Sequence, residues 1–179
     1  IDVMHDEVPL YLFPEATHRT KHSLRPLSKG IFHIALDANK KFGHEKPVFI
    51  VPVGLEYGDY FRFRNTILIQ YGEPINVTEF LKGREEENEA VIINELKAIL
   101  RERMAKLISF VPDEDEDYDA IWEIVKMKSN KRPFLLKKRM ANNQESISEV
   151  LDFKAKEPDK AKTLFENVRE FTKHRIAKR

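Results

Sequence analysis

Apolar residues change their spacing several times along the chain, and each change predicts an element. The runs Val8–Phe13, Pro47–Leu55 and Thr66–Tyr71 are short and apolar, which is typical of buried strands. Pro14 ends the first run. Pro52 lies inside the second, where a residue without an N–H indicates an edge, a bulge or a bend. Because the second run is almost continuously apolar, it predicts a strand covered on both faces.

Helical spacing dominates elsewhere. A helix from about Pro26 to Phe42 has apolar residues almost all round it, which predicts burial. The longest helix runs from about Glu85 to Phe110, and its apolar residues recur at helical steps that predict one face docked on a core. A short helix can begin at Asn76 or Thr78 and is interrupted by Gly83. Three further helices are predicted near the C-terminus: Tyr118–Met127, Gln144–Phe153 and Pro158–Ala177.

The order of these elements predicts the fold class and the domain organisation. One strand–helix unit followed by two strand–turn signals indicates an α/β fold. The composition changes at Pro112, where the run Asp113–Asp117 is typical of a solvated acidic linker. It lacks the glycine and the spaced glutamate of a calcium-binding loop. We therefore predict an α/β domain over residues 1–110, followed by the linker and a helical extension over residues 111–179.

Composition excludes several classes of protein. A chain of 179 residues with 41% hydrophobic content can bury one sizeable core. The net charge of +1 argues against a general nucleic-acid binder, and the absence of cysteine excludes disulfides, thiol catalysis and cysteine-ligated zinc. No stretch approaches the ~20 apolar residues of a transmembrane helix. Because the chain opens at Ile1 rather than methionine, we expect it to be part of a longer protein.

Candidate chemistry is concentrated between the first predicted strand and the first long helix. Ligands bind α/β folds in the crevice beyond the carboxyl ends of strands, which is where this loop should lie. Lys29 and Gly30 open the following helix, and the exposed amides of a helix start attract anions. The loop adds a carboxylate, two hydroxyls, two imidazoles and two cations: Glu15, Thr17, His18, Arg19, Thr20, Lys21 and His22.

Three blocks of residues occur in series around this loop: Phe13-Pro14-Glu15-Ala16-Thr17-His18, Pro26-Leu27-Ser28-Lys29-Gly30 and Val51-Pro52-Val53. In order and spacing they resemble the glycerolipid acyltransferase family, which includes the lysophosphatidic acid and glycerol-phosphate acyltransferases. That family carries Phe-Pro-Glu-Gly-Thr-Arg, Pro-x-x-Lys-Gly and Val-Pro-Val. Two positions depart from it: Ala16 replaces the usual glycine, and His18 stands where the family has arginine, with Arg19 one step later. The resemblance covers roughly the first 75 residues.

The resemblance implies a fold and an activity. The fold would be the C-terminal half of the family's mixed sheet flanked by helices. The parent enzyme would move an acyl group from a coenzyme A or acyl-carrier-protein thioester to a hydroxyl of a lysophospholipid or glycerol phosphate. It would act peripherally on the cytoplasmic side of a membrane. No bound cofactor and no metal are expected, and the thioester would enter as the donor substrate. Residues implied to bind the acceptor are Glu15, Thr17, His18, Arg19, Lys29 and Gly30, whereas Pro52 would shape the acyl-chain side.

The family's catalytic feature is a histidine followed five places later by an aspartate. The histidine acts as general base on the acceptor hydroxyl. None of the six histidines here is followed by aspartate at that distance, so we expect the catalytic pair upstream of Ile1 and no activity in this chain alone. His33 and Asp37, one helical turn apart, form the alternative dyad.

Two other functions stay open from the sequence. The first is an acyltransferase relative that acts on another acceptor, such as an aminolipid, for which His18 in place of arginine leaves room. The second is a non-catalytic lipid- or membrane-binding module. Its contact would be the basic stretch Lys126–Arg139, which has Phe134-Leu135-Leu136 near its centre and could touch an anionic membrane surface. The same stretch could instead be a solvated linker packed by its apolar centre.

Overall fold

A computed structural model describes residues 2–15, 21–59, 63–112, 116–129 and 135–177. Within these ranges the chain forms seven helices and four strands. The helices are α1 (Asp2–His5), α2 (Gly30–Phe42), α3 (Val77–Phe80), α4 (Glu89–Ala105), α5 (Tyr118–Lys128), α6 (Leu136–Lys156) and α7 (Pro158–Ala177). The strands are β1 (Phe49–Ile50), β2 (Val53–Tyr57), β3 (Ile67–Tyr71) and β4 (Ile75–Asn76).

The chain divides into two compact units. The first contains residues 1–54 and 70–107, and the second contains residues 55–69 and 108–179. The boundary crosses β2 and β3, so each unit takes part of that pair of strands. A compact unit of this kind need not fold by itself. The domain boundary predicted at residue 110 therefore stays a prediction.

The described strands form two antiparallel sheets of two strands each, rather than a single mixed sheet. In one sheet β1 pairs with β4, with Phe49 opposite Asn76 and Ile50 opposite Ile75. In the other sheet β2 pairs with β3. The combination of helices and strands agrees with the coarse α/β prediction. The finer prediction, that the strands are half of the mixed sheet of a glycerol-phosphate acyltransferase, stays a prediction.

The core of the first unit confirms the docking face predicted for α4. Ile93, Leu96 and Leu100 recur at helical steps and are all buried in this core. They share it with the buried side of α2, with Ile50 of β1 and with Ile75 of β4. Burial of such an apolar stripe is what stabilises most helices in globular proteins.

Caps explain where two helices begin. The side chain of Asn88 accepts a hydrogen bond from the amide of Ala90 at 2.8 Å, so α4 begins at Glu89 and not at Glu85. The predicted start of the short helix at Asn76 is confirmed, because its side chain accepts from the amide of Glu79 at 3.1 Å.

Helix α2 corrects two predictions. It begins at Gly30 rather than Pro26, because the amide of Ser28 donates to the carbonyl of Pro14 at 2.7 Å and holds the preceding residues outside the helix. It is also amphipathic rather than buried all round. Phe32, Ala35 and Leu36 are buried, whereas the side chains at positions 33, 37, 40 and 41 are exposed.

The strand predicted at Val8–Phe13 is wrong for this chain. These residues have no regular secondary structure, and Tyr11 and Phe13 are 71% and 82% exposed. A strand needs a neighbouring strand for its backbone hydrogen bonds. Among the described residues no strand pairs with this run, because the only pairs formed there are β1–β4 and β2–β3.

The run Pro47–Leu55 forms β1 and the start of β2, separated at Val51 and Pro52, so the predicted interruption at Pro52 is confirmed. Coverage on both faces is wrong. Along β2 the buried side chains alternate with exposed ones, and Leu55 and Tyr57 lie on the exposed face. This alternation is typical of an antiparallel sheet packed on one side only. The predicted third strand is confirmed as β3.

In the second unit, α5, α6 and α7 pack around a shared core that contains Ile121, Ile147 and Phe165. Helix α6 is longer than predicted and begins at Leu136, inside the basic stretch. A buried polar network ties α6 to this unit's strand residues. The amide and hydroxyl of Ser109 donate to Glu56 at 2.9 and 3.1 Å, and Asn143 donates to the Ser109 hydroxyl at 3.3 Å.

Candidate functional site

The described residues between Pro14 and α2, which are 14–15 and 21–29, form the candidate site and lie in the first unit. The hydrogen bond from the Ser28 amide to the Pro14 carbonyl joins the two blocks of residues on which the acceptor-binding prediction rests. Two of the loop's own side chains, Leu24 and Leu27, are buried, and they anchor its backbone. Loops that rest on a rigid scaffold in this way commonly carry function.

The start of α2 is electrostatically unusual. Lys29 occupies the N-cap position and makes no side-chain capping bond, and this fully described helix has no acidic residue in its first turn. The positive end of the helix dipole therefore meets a cation, an arrangement that costs about 0.3–1 kcal/mol. Lys29 and Gly30 are both exposed, and a Cβ added at Gly30 would meet nothing within 4 Å. An anion at this helix start would be attracted by both the lysine and the helix dipole.

Arg101 on α4 contacts the same loop and was missed by the sequence interpretation. Its half-buried guanidinium donates from Nη1 to the carbonyls of Leu24 and Arg25 at 3.0 and 3.1 Å. No local pattern could have revealed this contact, because the donor lies more than seventy residues after its acceptors.

His33, half of the alternative dyad, contacts a residue of α4. Nδ1 of His33 lies 3.1 Å from Oε1 of Glu89, the first residue of α4, and the sequence interpretation had paired this histidine with Asp37. Lys40 donates to the other Glu89 oxygen at 2.9 Å. The hydrogen bond and charge of Lys40, with a smaller contribution from His33, lower the pKa of Glu89. All three side chains are about half exposed or more, which is typical of a surface ion cluster.

The other predicted site residues have different outcomes. Thr17, His18 and Arg19 lie outside the described residues. Glu15 is half-buried. Pro52 is buried between β1 and β2, and its carbonyl accepts a hydrogen bond from the Gly72 amide at 2.9 Å. The part of the chain that the structure describes holds no cluster of histidine and carboxylate side chains suited to a metal ion. The roles assigned to all of these residues stay predictions.

Comparison with known proteins gives one partial relationship. The chain is similar to a glycerol-phosphate acyltransferase. Over 76 residues it is 36% identical to glycerol-3-phosphate O-acyltransferase 2 of Saccharomyces cerevisiae. That stretch is 42% of this chain and 10% of the relative. No family model and no solved structure matches the chain. The similarity supports an acyltransferase relationship for part of the chain, in agreement with the family that the three blocks resemble.

Proposed function

We propose that this chain supplies the acceptor-binding part of an acyltransferase that uses a glycerol phosphate or a lysophospholipid. The acyl donor would be a coenzyme A or acyl-carrier-protein thioester, which enters as a substrate rather than a bound cofactor. The observation that carries the proposal is the position of Lys29 at the N-cap of α2, a helix with no acidic residue in its first turn. The yeast relative's name supports glycerol phosphate as the acceptor class.

Lys29 has a clear physical role in this proposal. A phosphate at the first turn of α2 would offset both the helix dipole and the lysine ammonium, and so remove the local electrostatic conflict. The exposed backbone at Gly30 would allow the phosphate to approach closely. Glu15 and Arg19, placed earlier in the same segment, would orient the acceptor hydroxyl and add a second cation. Pro52 would border the acyl chain.

The chemistry sets what this chain can contribute. Acyl transfer needs the acceptor hydroxyl to lose its proton as the oxygen attacks the thioester carbonyl, which releases the thiol. Acceptor-binding residues can hold and orient the hydroxyl, but they do not remove its proton. The general base would come from a His-x4-Asp pair, a pattern that this sequence lacks. The proposed share of this chain is therefore orientation of the acceptor rather than proton transfer.

Titration calorimetry with sn-glycerol 3-phosphate tests the proposal. In Lys29→Asp, the acidic charge should stabilise α2 by about 0.3–1 kcal/mol through the helix dipole and should repel the phosphate. We expect stability to rise while affinity falls at least about tenfold, a loss of ~1.4 kcal/mol.

The matched control is Lys41→Asp in the last turn of the same helix. Its acidic charge should lower stability by about 0.3–1 kcal/mol and leave the affinity unchanged. Glycerol and inorganic phosphate are titrated alongside. Equal affinity for inorganic phosphate would reduce the site to a general anion site, and no binding of glycerol phosphate by the wild-type chain would overturn the proposal.

A peripheral position at the cytoplasmic face of a membrane remains part of the proposal. None of the helices within the described ranges is long and apolar enough to cross a bilayer. In the basic stretch Lys126–Arg139, two cations form ion pairs within the second unit: Lys126 pairs with Glu123, and Lys128 pairs with Glu149. Lys137 and Lys138 are exposed on α6, so a contact with anionic lipid would centre on them.

A further inference from the structure

Arg101 binds backbone atoms of the candidate loop. Its Nη1 donates to two consecutive carbonyls, those of Leu24 and Arg25, at 3.0 and 3.1 Å. Side-chain substitutions in the loop would leave these acceptors in place. A charged donor also forms a stronger hydrogen bond than a neutral one. These two hydrogen bonds therefore act on the path of the loop backbone.

The loop depends on such a contact because its own structure is irregular. Residues 21–28 form no helix or strand, and buried backbone carbonyls in such a segment need donors from elsewhere. The buried side chains of Leu24 and Leu27 hold the loop down on the core, but burial alone is non-directional. Orientation comes from the hydrogen bond between Ser28 and Pro14 and from the two Arg101 hydrogen bonds, whose acceptors lie five and four residues before Lys29.

We propose that Arg101 is a positioning residue for the acceptor loop. By holding the carbonyls of Leu24 and Arg25, it sets the direction in which the chain enters α2 and so places Lys29 and Gly30 for the phosphate. This role rests on the proposed function. It adds to the acceptor site a residue from α4, outside all three blocks on which that function was inferred.

Arg103, on the same helix, provides a matched control. Its Nη1 also donates to two consecutive carbonyls, those of Glu73 and Pro74, both at 2.8 Å. These carbonyls lie in the connection between β3 and β4. The Nη2 of Arg103 also lies 3.5 Å from the exposed Glu73 carboxylate. Both arginines thus hold two consecutive carbonyls from the same helix, and those held by Arg103 lie outside the candidate loop.

The experiment compares Arg101→Gln, Arg103→Gln and Arg101→Lys in the full 179-residue chain. Urea unfolding measures stability, and titration calorimetry with sn-glycerol 3-phosphate measures affinity at a temperature where every variant is folded. Both glutamine variants should lower the unfolding midpoint by similar amounts. Only Arg101→Gln should weaken binding, by about three- to tenfold, and Arg101→Lys should restore part of the loss, because lysine keeps one charged donor.

The outcomes separate the two proposals. Wild-type binding that Arg101→Gln leaves unchanged would overturn the positioning role alone. Equal losses of affinity in Arg101→Gln and Arg103→Gln would also overturn it, because the effect would then come from general loosening of the fold. No binding by the wild-type chain would overturn the proposed function, and the positioning role with it.

Discussion

Two glycines of the first unit have opposite surroundings. A Cβ at Gly30 would lie in open space at the start of α2, whereas a Cβ at Gly54 in β2 would lie 2.4 Å from the Leu107 Cβ and 2.5 Å from the Leu107 carbonyl oxygen. Only the second position needs glycine for packing, since a backbone atom cannot move aside as a flexible side chain can. Gly30 has no such packing requirement, so the glycine at this position can instead serve a function such as ligand approach.

Alanine substitutions at the two glycines should therefore differ. Gly54→Ala should destabilise the chain by about 1–3 kcal/mol through overpacking. Gly30→Ala should leave stability equal or raise it by up to ~1 kcal/mol, and should weaken glycerol phosphate binding if the backbone there meets the phosphate. Urea denaturation and calorimetry measure both effects. A tolerated Gly54→Ala would contradict the packing argument, and undiminished phosphate affinity in Gly30→Ala would contradict the close approach.

At the scale of elements, the three helices of the second unit are joined by charge as well as by apolar contacts. Asp117, at the start of α5, pairs with Lys154 of α6 at 3.0 Å and with Arg169 of α7. Burial raises the pKa of Asp117, but the hydrogen bonds and charges of Lys154 and Arg169 outweigh it and leave the pKa below its usual value of 3.8. One carboxylate thus connects all three helices.

This lowered pKa predicts acid sensitivity. A carboxyl group with a lower pKa in the folded state contributes stability above its unfolded pKa of 3.8, and that stability is lost as pH falls through the folded value. Asp117→Asn should cost about 1 kcal/mol at pH 7 and less and less below about pH 4. Unfolding measured from pH 7 to pH 2.5 tests this, with Asp119→Asn on the same helix as the exposed control. Parallel profiles for wild type and Asp117→Asn would refute it.

At the scale of the whole molecule, the chain combines a candidate acceptor site with no recognisable catalytic pair. His33, which belongs to the alternative catalytic dyad with Asp37, lies in an exposed ion cluster with Glu89 and Lys40. An exposed pair is well hydrated, so it lacks the dry, pre-organised surroundings that make general bases effective.

We therefore expect no acyl transfer by this chain when thioester and glycerol phosphate are supplied together. The absent general base alone is worth typically ~100- to 10,000-fold in rate. Release of thiol from the thioester donor measures turnover, with the yeast relative as positive control. Release above the uncatalysed rate that His33→Ala abolishes would place the chemistry within this chain and overturn the prediction.

Membrane contact is a second prediction at this scale. Reversal of Lys137 and Lys138 to glutamate should weaken sedimentation with anionic phosphatidylglycerol vesicles by at least about thirtyfold, because each basic residue near such a surface contributes ~1 kcal/mol. The control reverses Lys162 and Lys173, which are exposed on α7 and change the net charge equally. Equal losses in both variants would indicate a general charge effect. No loss in either would remove Lys137 and Lys138 from the contact.

The sequence by itself determined the elements whose signals are local. Helix α7 has its predicted bounds, α5 ends within one residue of its predicted end, and β3 begins one residue late. The interruption at Pro52 and the apolar face of α4 were also predictable, because a missing N–H and a helical period act on neighbours in the chain. For the candidate site, the position of Lys29 and Gly30 at the start of a helix was predictable, whereas the contact with Arg101 was not.

Only the tertiary structure decided what each apolar or charged group meets. Val8–Phe13 has the pattern of a buried strand, yet it remains exposed, because a pattern states which side chains favour burial and not whether a neighbouring strand is present. The same limit applies to the exposed face of β2. His33 meets Glu89, and Arg101 meets Leu24 and Arg25, across more than fifty residues of sequence. Such contacts are set by packing of distant elements, which leaves no local signature in the chain.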